Sequence, residues 1–213
     1  MKTEELVTML AADAEAVDPR RTARRFGLAL ALGLLAALLF TAGALHVNPL
    51  LGRYLTQPMF WIREAYCLAL SGFALLGVNR LAHPGRRLGL VPAALALVVI
   101  AIWVLAALAL QSAPPQARLR LLLGSTSAAC PWLIALIGAP LFAAYLWFLR
   151  GLAPTRLRLA GAAAGFAAGS LAALVYSLHC PELAAPFLAV WYLLGMLIPT
   201  AIGAGLGPRL LRW

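Results

Sequence analysis

The sequence predicts an all-α fold of six membrane-crossing helices, and three observations carry that prediction. The chain is 63% hydrophobic and only 11% charged, its mean hydropathy is +0.91, and its apolar residues gather into six runs of bilayer length. A hydrocarbon core of about 30 Å takes roughly 20 helical residues, and a soluble domain has no use for six such runs. They extend from Phe26 to Leu45, Phe60 to Val78, Leu88 to Leu110, Cys130 to Leu149, Leu157 to Leu178 and Ala185 to Leu206. Barrel strands are shorter and alternate in polarity, whereas these runs are continuously apolar and rich in Leu and Ala. The first run is too long for the apolar region of a secretory signal and comes after some 25 polar residues, so it is expected to stay as a helix.

Basic residues set the expected orientation, because loops that remain in the cytoplasm keep Lys and Arg. Thirteen of the 17 lie on one side: Lys2 and the arginines up to Arg25, Arg80 to Arg87, Arg150 to Arg158, then Arg209 and Arg212. The other side receives Arg53, Arg63, Arg118 and Arg120. Both termini are therefore expected in the cytoplasm, in a multi-pass membrane protein. The chain divides into a tail (1–25), a six-helix domain (26–207) and a short C-terminus (208–213). The net charge of +10 is spread over short loops, which suits topology and anionic headgroups and argues against direct nucleic-acid binding.

Two Cys-Pro dipeptides, Cys130-Pro131 and Cys180-Pro181, fall at span boundaries on the outer face, the second within His179-Cys180-Pro181-Glu182. Three readings of them stay open. Each cysteine is a small residue beside a helix-bounding proline; or the two form a disulfide, since a hairpin of spans four and five brings these ends together. The third is transient capture of a soft metal by Cys130, Cys180 and His179, with Glu182 as a further donor. Cys67 lies in the body of span two and reads as packing. Arg63 and Glu64 sit about one turn inside that span. Adjacent side chains diverge by about 100° on a helix, so these two are not expected to pair, and Arg63 reads either as an anchor reaching outward or as a partner of the thiols.

Gly161, Gly165 and Gly169 recur every four residues, which permits close helix approach and makes span five central. Span six carries Gly195, Pro199 and Gly203, a kink or hinge candidate. Trp61, Tyr145, Trp147, Trp191, Tyr192 and Trp213 read as an interfacial belt. Residues Thr3 to Val17 read as a short amphipathic helix with Leu6, Met9 and Leu10 on one face and Glu4, Glu5 and Asp13 largely on the other. It is marginal alone in water and suits an apolar, basic groove on a partner.

These residues carry a resemblance. The Met1-Lys2-Thr3 start with its acidic, leucine-bearing segment, Arg20 to Arg25, Pro84-Gly85, Cys130, Leu149-Arg150 with Ala153-Pro154, Leu178-His179-Cys180-Pro181-Glu182, Trp191-Tyr192 with Gly195, and Leu211-Arg212-Trp213 together resemble the NrsF family of bacterial membrane proteins. The likeness runs the length of the chain and is most specific in the His-Cys-Pro-Glu segment and the closing Leu-Arg-Trp. It implies a six-span inner-membrane anti-sigma factor that sequesters an extracytoplasmic-function sigma factor, with Cys130 and Cys180 at signal-sensing positions. Sensing of a thiol-reactive metal or an oxidant is then assigned to Cys130, Cys180, His179 and Glu182. The tail has neither Cys nor His, unlike the zinc-containing soluble anti-sigma domains.

No cofactor is expected, and no enzyme. The chain has no nucleotide-binding glycine loop, no catalytic triad pattern and no C-x-x-C, which counts against a thiol oxidoreductase. Spans one, three and six have no ionisable residue in their cores, which counts against the other alternative, a small transporter.

Overall fold

The structure, a computed structural model, describes residues 3–5, 19–83, 85–152 and 154–212, and no strand occurs among them. Six helices are long and apolar enough to cross a membrane: α1 (Ala23–Leu45), α2 (Pro58–Ala82), α3 (Val91–Ser112), α4 (Cys130–Arg150), α5 (Leu157–Tyr176) and α6 (Ala185–Leu210). Two short connecting helices, Leu51–Tyr54 and Pro115–Leu123, precede α2 and α4. The all-α, six-span expectation is met, with ends displaced by a few residues.

Proline places many of those ends. A first-turn residue has no intrahelical partner for its N–H, so a proline there loses nothing. Pro58, Pro92, Pro115, Pro131 and Pro186 all occupy such positions. α2 stops where His83 turns extended (φ −106°, ψ 125°), as expected of a residue that precedes a proline. Of the tail helix, Thr3, Glu4 and Glu5 are helical and exposed, whereas Leu6, Met9, Leu10 and Asp13 lie outside the described residues. Pro84, Ala153 and Trp213 also lie outside them.

α5 is the axis of the bundle, as its glycines lead one to expect. It packs against α2, α4 and α6, while α1 lies on α4, and α3 lies on α2 and the start of α6. Of its apolar stretch 72% is buried, against 22% for α1 and 11% for α3. The α5–α6 contact is backbone to backbone: Gly161 faces Gly203 and Gly207, Gly165 faces the Pro199 carbonyl and Thr200, and Gly169 faces Met196. A methyl group at any of the three would overlap main-chain atoms, so this spacing exists only with glycine.

α6 is not broken at Pro199. Its last segment runs unbroken from Leu193 to Leu210 through Pro199 and Pro208. Thr200 Oγ1 donates to the Met196 carbonyl at 2.7 Å. The irregularity falls earlier, in a π-helical turn over Leu188–Tyr192, and a second such turn closes α1 at Thr41–Leu45. The extra residue in a π turn rotates the helix beyond it, which here lets α6 leave its entry segment and settle on the α5 glycines.

The aromatic belt needs correction. Trp61 and Trp147 are half-exposed or more, as an interfacial role requires, but Tyr145 and Tyr192 are fully buried. Tyr192 packs against Tyr176 and Phe187 with ring centroids 5.9 and 6.4 Å away, and Tyr145 stacks on Phe26. Proximity to a span end does not distinguish a lipid-facing ring from one turned into the bundle.

Gly165→Val should cost about 3 kcal/mol or more, because the colliding atoms are backbone. Gly72→Ala, whose added methyl meets nothing within 4 Å, should leave stability unchanged within about 0.5 kcal/mol. Thermal unfolding of both variants in micelles checks the pair.

Candidate functional site

Chemistry-bearing side chains concentrate at the end of the bundle opposite the arginine-rich loops, where α5 ends, α4 and α6 begin and α2 enters. Arg63 organises this end. Its side chain is 0% exposed, and four of its five N–H donors meet acceptors. Nη2 donates to the Ser177 carbonyl (2.9 Å), and Nη1 donates to the carbonyls of Cys180 (3.2 Å) and Glu182 (3.1 Å). Nε donates to Glu64 Oε1 at 3.1 Å, and the Phe60 ring lies 5.1 Å below the guanidinium carbon.

A helix C-terminus presents unsatisfied carbonyls and a partial negative charge. Arg63 supplies the matching cation from a neighbouring helix. Glu64 completes the neutralisation: its Oε2 accepts from Ser177 Oγ at 3.0 Å.

Two expectations about this pair fail. Arg63 does not reach outward as an interfacial anchor, and it does pair with Glu64. The 100° divergence of adjacent side chains is overcome because both bend toward the same helix end, where Ser177 offers a carbonyl to one and a hydroxyl to the other. The preference for diverging directions is small beside the cost of burying either charge alone.

The segment from Ser177 to Glu182 is thereby a hub for all the loops on this face. Asn48 N–H donates to the Leu178 carbonyl (3.0 Å), and His179 Nδ1 lies 2.9 Å from the His46 carbonyl, at a point where His46 adopts the left-handed φ of 64°. These bonds hold the α1–α2 loop. On the other side the Glu182 carboxylate accepts from Ser125 N–H and Ser125 Oγ, both 2.7 Å from Oε1, which fixes the chain just after the Pro115–Leu123 helix. Trp191 Nε1 donates to the Leu122 carbonyl of that same helix at 2.8 Å.

Under this hub lie the thiols. Cys130, Cys180 and Cys67 are all free and 0% exposed. The Tyr176 hydroxyl interacts with both Cys130 and Cys180, so the two boundary cysteines share one buried phenol as a neighbour. Cys67 lies within electrostatic range of Arg63, Glu64 and Cys180. The hydroxyls of Tyr66 and Tyr192 are buried with no hydrogen-bond partner.

The expected sensing set thus divides. Cys130 and Cys180 are brought together, while His179 is turned to the His46 carbonyl and Glu182 is spent on Ser125. Among the described residues no group of three or more His, Cys, Asp or Glu side chains is placed to hold a metal ion. Among those residues the three-donor set of Cys130, Cys180 and His179 is not assembled, and His179 Nδ1 lies at the His46 carbonyl instead.

Sequence reasoning missed Tyr176, Ser177, Asn48 and Ser125. For Cys67 a signal existed: it lies four residues after Arg63 and so shares its helix face.

Fold and site together define a polytopic membrane protein with a buried thiol cluster clamped by an internal arginine. The chain belongs to the NrsF family, described as "Negative regulator of sigma F", which it matches over residues 10–213. It is 50% identical over 213 residues to the probable anti-sigma-F factor NrsF of Azospira oryzae, covering 100% of both chains. It is 42% identical over 220 residues to the anti-sigma-F factor NrsF of Caulobacter vibrioides, again covering 100% of both. No solved structure matches. This membership gives the chain a regulatory, non-enzymatic role.

Arg63→Ala leaves Glu64 and three carbonyls without their cation and should cost about 3 kcal/mol or more. It should also raise the rate at which a maleimide modifies Cys180, read by mass shift in membranes. Arg63→Lys should restore only part of the protection, since one ammonium group has three donors where the guanidinium has five.

Proposed function

We propose that this chain is an inner-membrane anti-sigma factor that holds an extracytoplasmic-function sigma factor inactive and releases it when outward-facing thiols are attacked. Membership in the NrsF family and the names of the two relatives support the anti-sigma role. The observation that carries the sensing role is the meeting of Cys130 and Cys180 across the Tyr176 hydroxyl, beneath a loop hub clamped by Arg63.

Both thiols are buried, so reaction requires local opening of the hub. A soft, thiol-reactive metal ion then bridges the two sulfurs with release of two protons. An oxidant instead takes two electrons and two protons and leaves a disulfide. Either product draws the sulfurs together and displaces the phenol between them. His179 and Glu182 act as loop fasteners in this reading, setting how readily the hub opens.

Transmission runs through rigid elements. Tyr176 ends α5, and α5 is locked backbone to backbone on α6 down to Leu157 and Gly207 at the opposite end. Cys130 begins α4, whose final residue Arg150 donates from Nε to the Leu210 carbonyl near the end of α6. A shift at the thiols therefore reaches the arginine-rich end through two helices that converge on one terminus. Release requires that this second arrangement bind the sigma factor less well. The grip itself is assigned to the tail, with Leu6, Met9 and Leu10 facing an apolar groove and Glu4, Glu5 and Asp13 facing its basic rim.

In cells carrying a sigma-dependent reporter, Cys130→Ser plus Cys180→Ser at unchanged protein level should abolish induction by cadmium or diamide. A response equal to wild type would leave the thiols structural. Separately, Leu6→Asp plus Leu10→Asp should lower sigma-factor co-purification about tenfold or more; undiminished recovery would remove the tail helix as the main contact.

A further inference from the structure

Two cavities adjoin at the arginine-rich end, remote from the thiols. α1 packs on α4 and α2 packs on α5, which leaves a cleft of about 610 Å³ between α1 and α2, lined by Phe26, Gly72, Leu75, Leu76 and Phe148 and rimmed by Asn79, His83 and Arg86. His83 and Arg86 also line a second cavity of about 190 Å³ with Gly85, Arg87, Thr155 and Arg156. The first is apolar, the second cationic, and they share a wall.

We propose that this pair of cavities is a binding site for one anionic glycerophospholipid, its phosphate among Arg86, Arg87 and Arg156 and its acyl chains in the α1–α2 cleft. Charge favours an anion: among the described residues no acidic side chain lines either cavity, and none of the three arginines forms an ion pair. Depth favours a lipid over a protein. Gly72 lies ten residues before Ala82, the last residue of α2, about 15 Å deeper along the helix, close to half of a hydrocarbon core of about 30 Å. A water-soluble helix reaches the arginines but not Gly72 or Leu76; an acyl chain reaches both. Leu76 is half-exposed and Gly72 has open space beside it, so the cleft has room without rearrangement. The leaflet that supplies this lipid is the one facing the basic loops, and basic pockets between membrane helices on that side suit acidic headgroups. The site is independent of the thiol reading.

Full-length protein in neutral detergent is titrated with dioleoyl phosphatidylglycerol or with dioleoyl phosphatidylcholine, and bound lipid is counted by native mass spectrometry. One phosphatidylglycerol per chain should be retained at least about tenfold more tightly than phosphatidylcholine. Arg86→Gln plus Arg87→Gln plus Arg156→Gln should erase that preference. Gly72→Phe should lower retention of both lipids by filling the cleft, and Leu76→Trp should do the same from an exposed position if Gly72→Phe fails to fold. Equal retention of the two lipids, a preference that survives the arginine triple variant, or full retention in folded cleft-filled variants would overturn the proposal. So would lipid binding only after removal of residues 1–18, which would make the chain's own tail the occupant.

Discussion

A single buried cation underlies the architecture of one entire face. An arginine enclosed by apolar helices is tolerable only if its donors find acceptors and its charge is balanced nearby. Arg63 places four of its five N–H groups on Glu64 and the carbonyls of Ser177, Cys180 and Glu182, with the Glu64 carboxylate as counter-charge. The requirement dictates where α5 ends, how its exit loop folds back and which residues can occupy the loop. His179, Glu182, Asn48 and Ser125 extend the same bonding outward, so three connections become one polar layer over a buried thiol cluster.

Beneath that layer the constraint changes from charge to space. Alanine and glycine dominate α5, and the chain uses them to bring two backbones into contact rather than to fill a cavity. Such a seam resists separation, rotation and sliding alike, because backbone meets backbone and the Pro199 and Phe142 side chains close its edges.

Much of the fold was legible beforehand because bilayer thickness turns hydropathy into helix number and length, and the four-residue glycine spacing pointed to α5 as the axis. The side-chain directions in the site were not legible. Whether Arg63 faces lipid or protein depends on the rotation of α2, which its sequence leaves undetermined when both faces are apolar. The split of His179 from Cys180 arises from loop backbone geometry, and the pairing of Arg63 with Glu64 from a shared target on a helix more than a hundred residues away. The meeting of Cys130 and Cys180 was foreseeable, since a hairpin leaves few alternatives; Tyr176 between them was not.

The inverse relation between burial and hydropathy bears on how the chain is made. α3, with hydropathy 2.9, is the least buried helix, while α5, with 1.6, is the most buried, and α2, with 1.4, carries the internal ion pair. The lipid-facing helices are therefore strong insertion signals by themselves, whereas α2 and α5 are weak ones. Hydropathy this low leaves α5 to be held by the helices it packs against, α2, α4 and α6, and the charges of α2 find their partners at the end of α5. Weak insertion signals and buried polar chemistry thus fall on the same two helices, so a chain in which α2 and α5 have not yet packed leaves its ion pair and its glycine seam facing lipid.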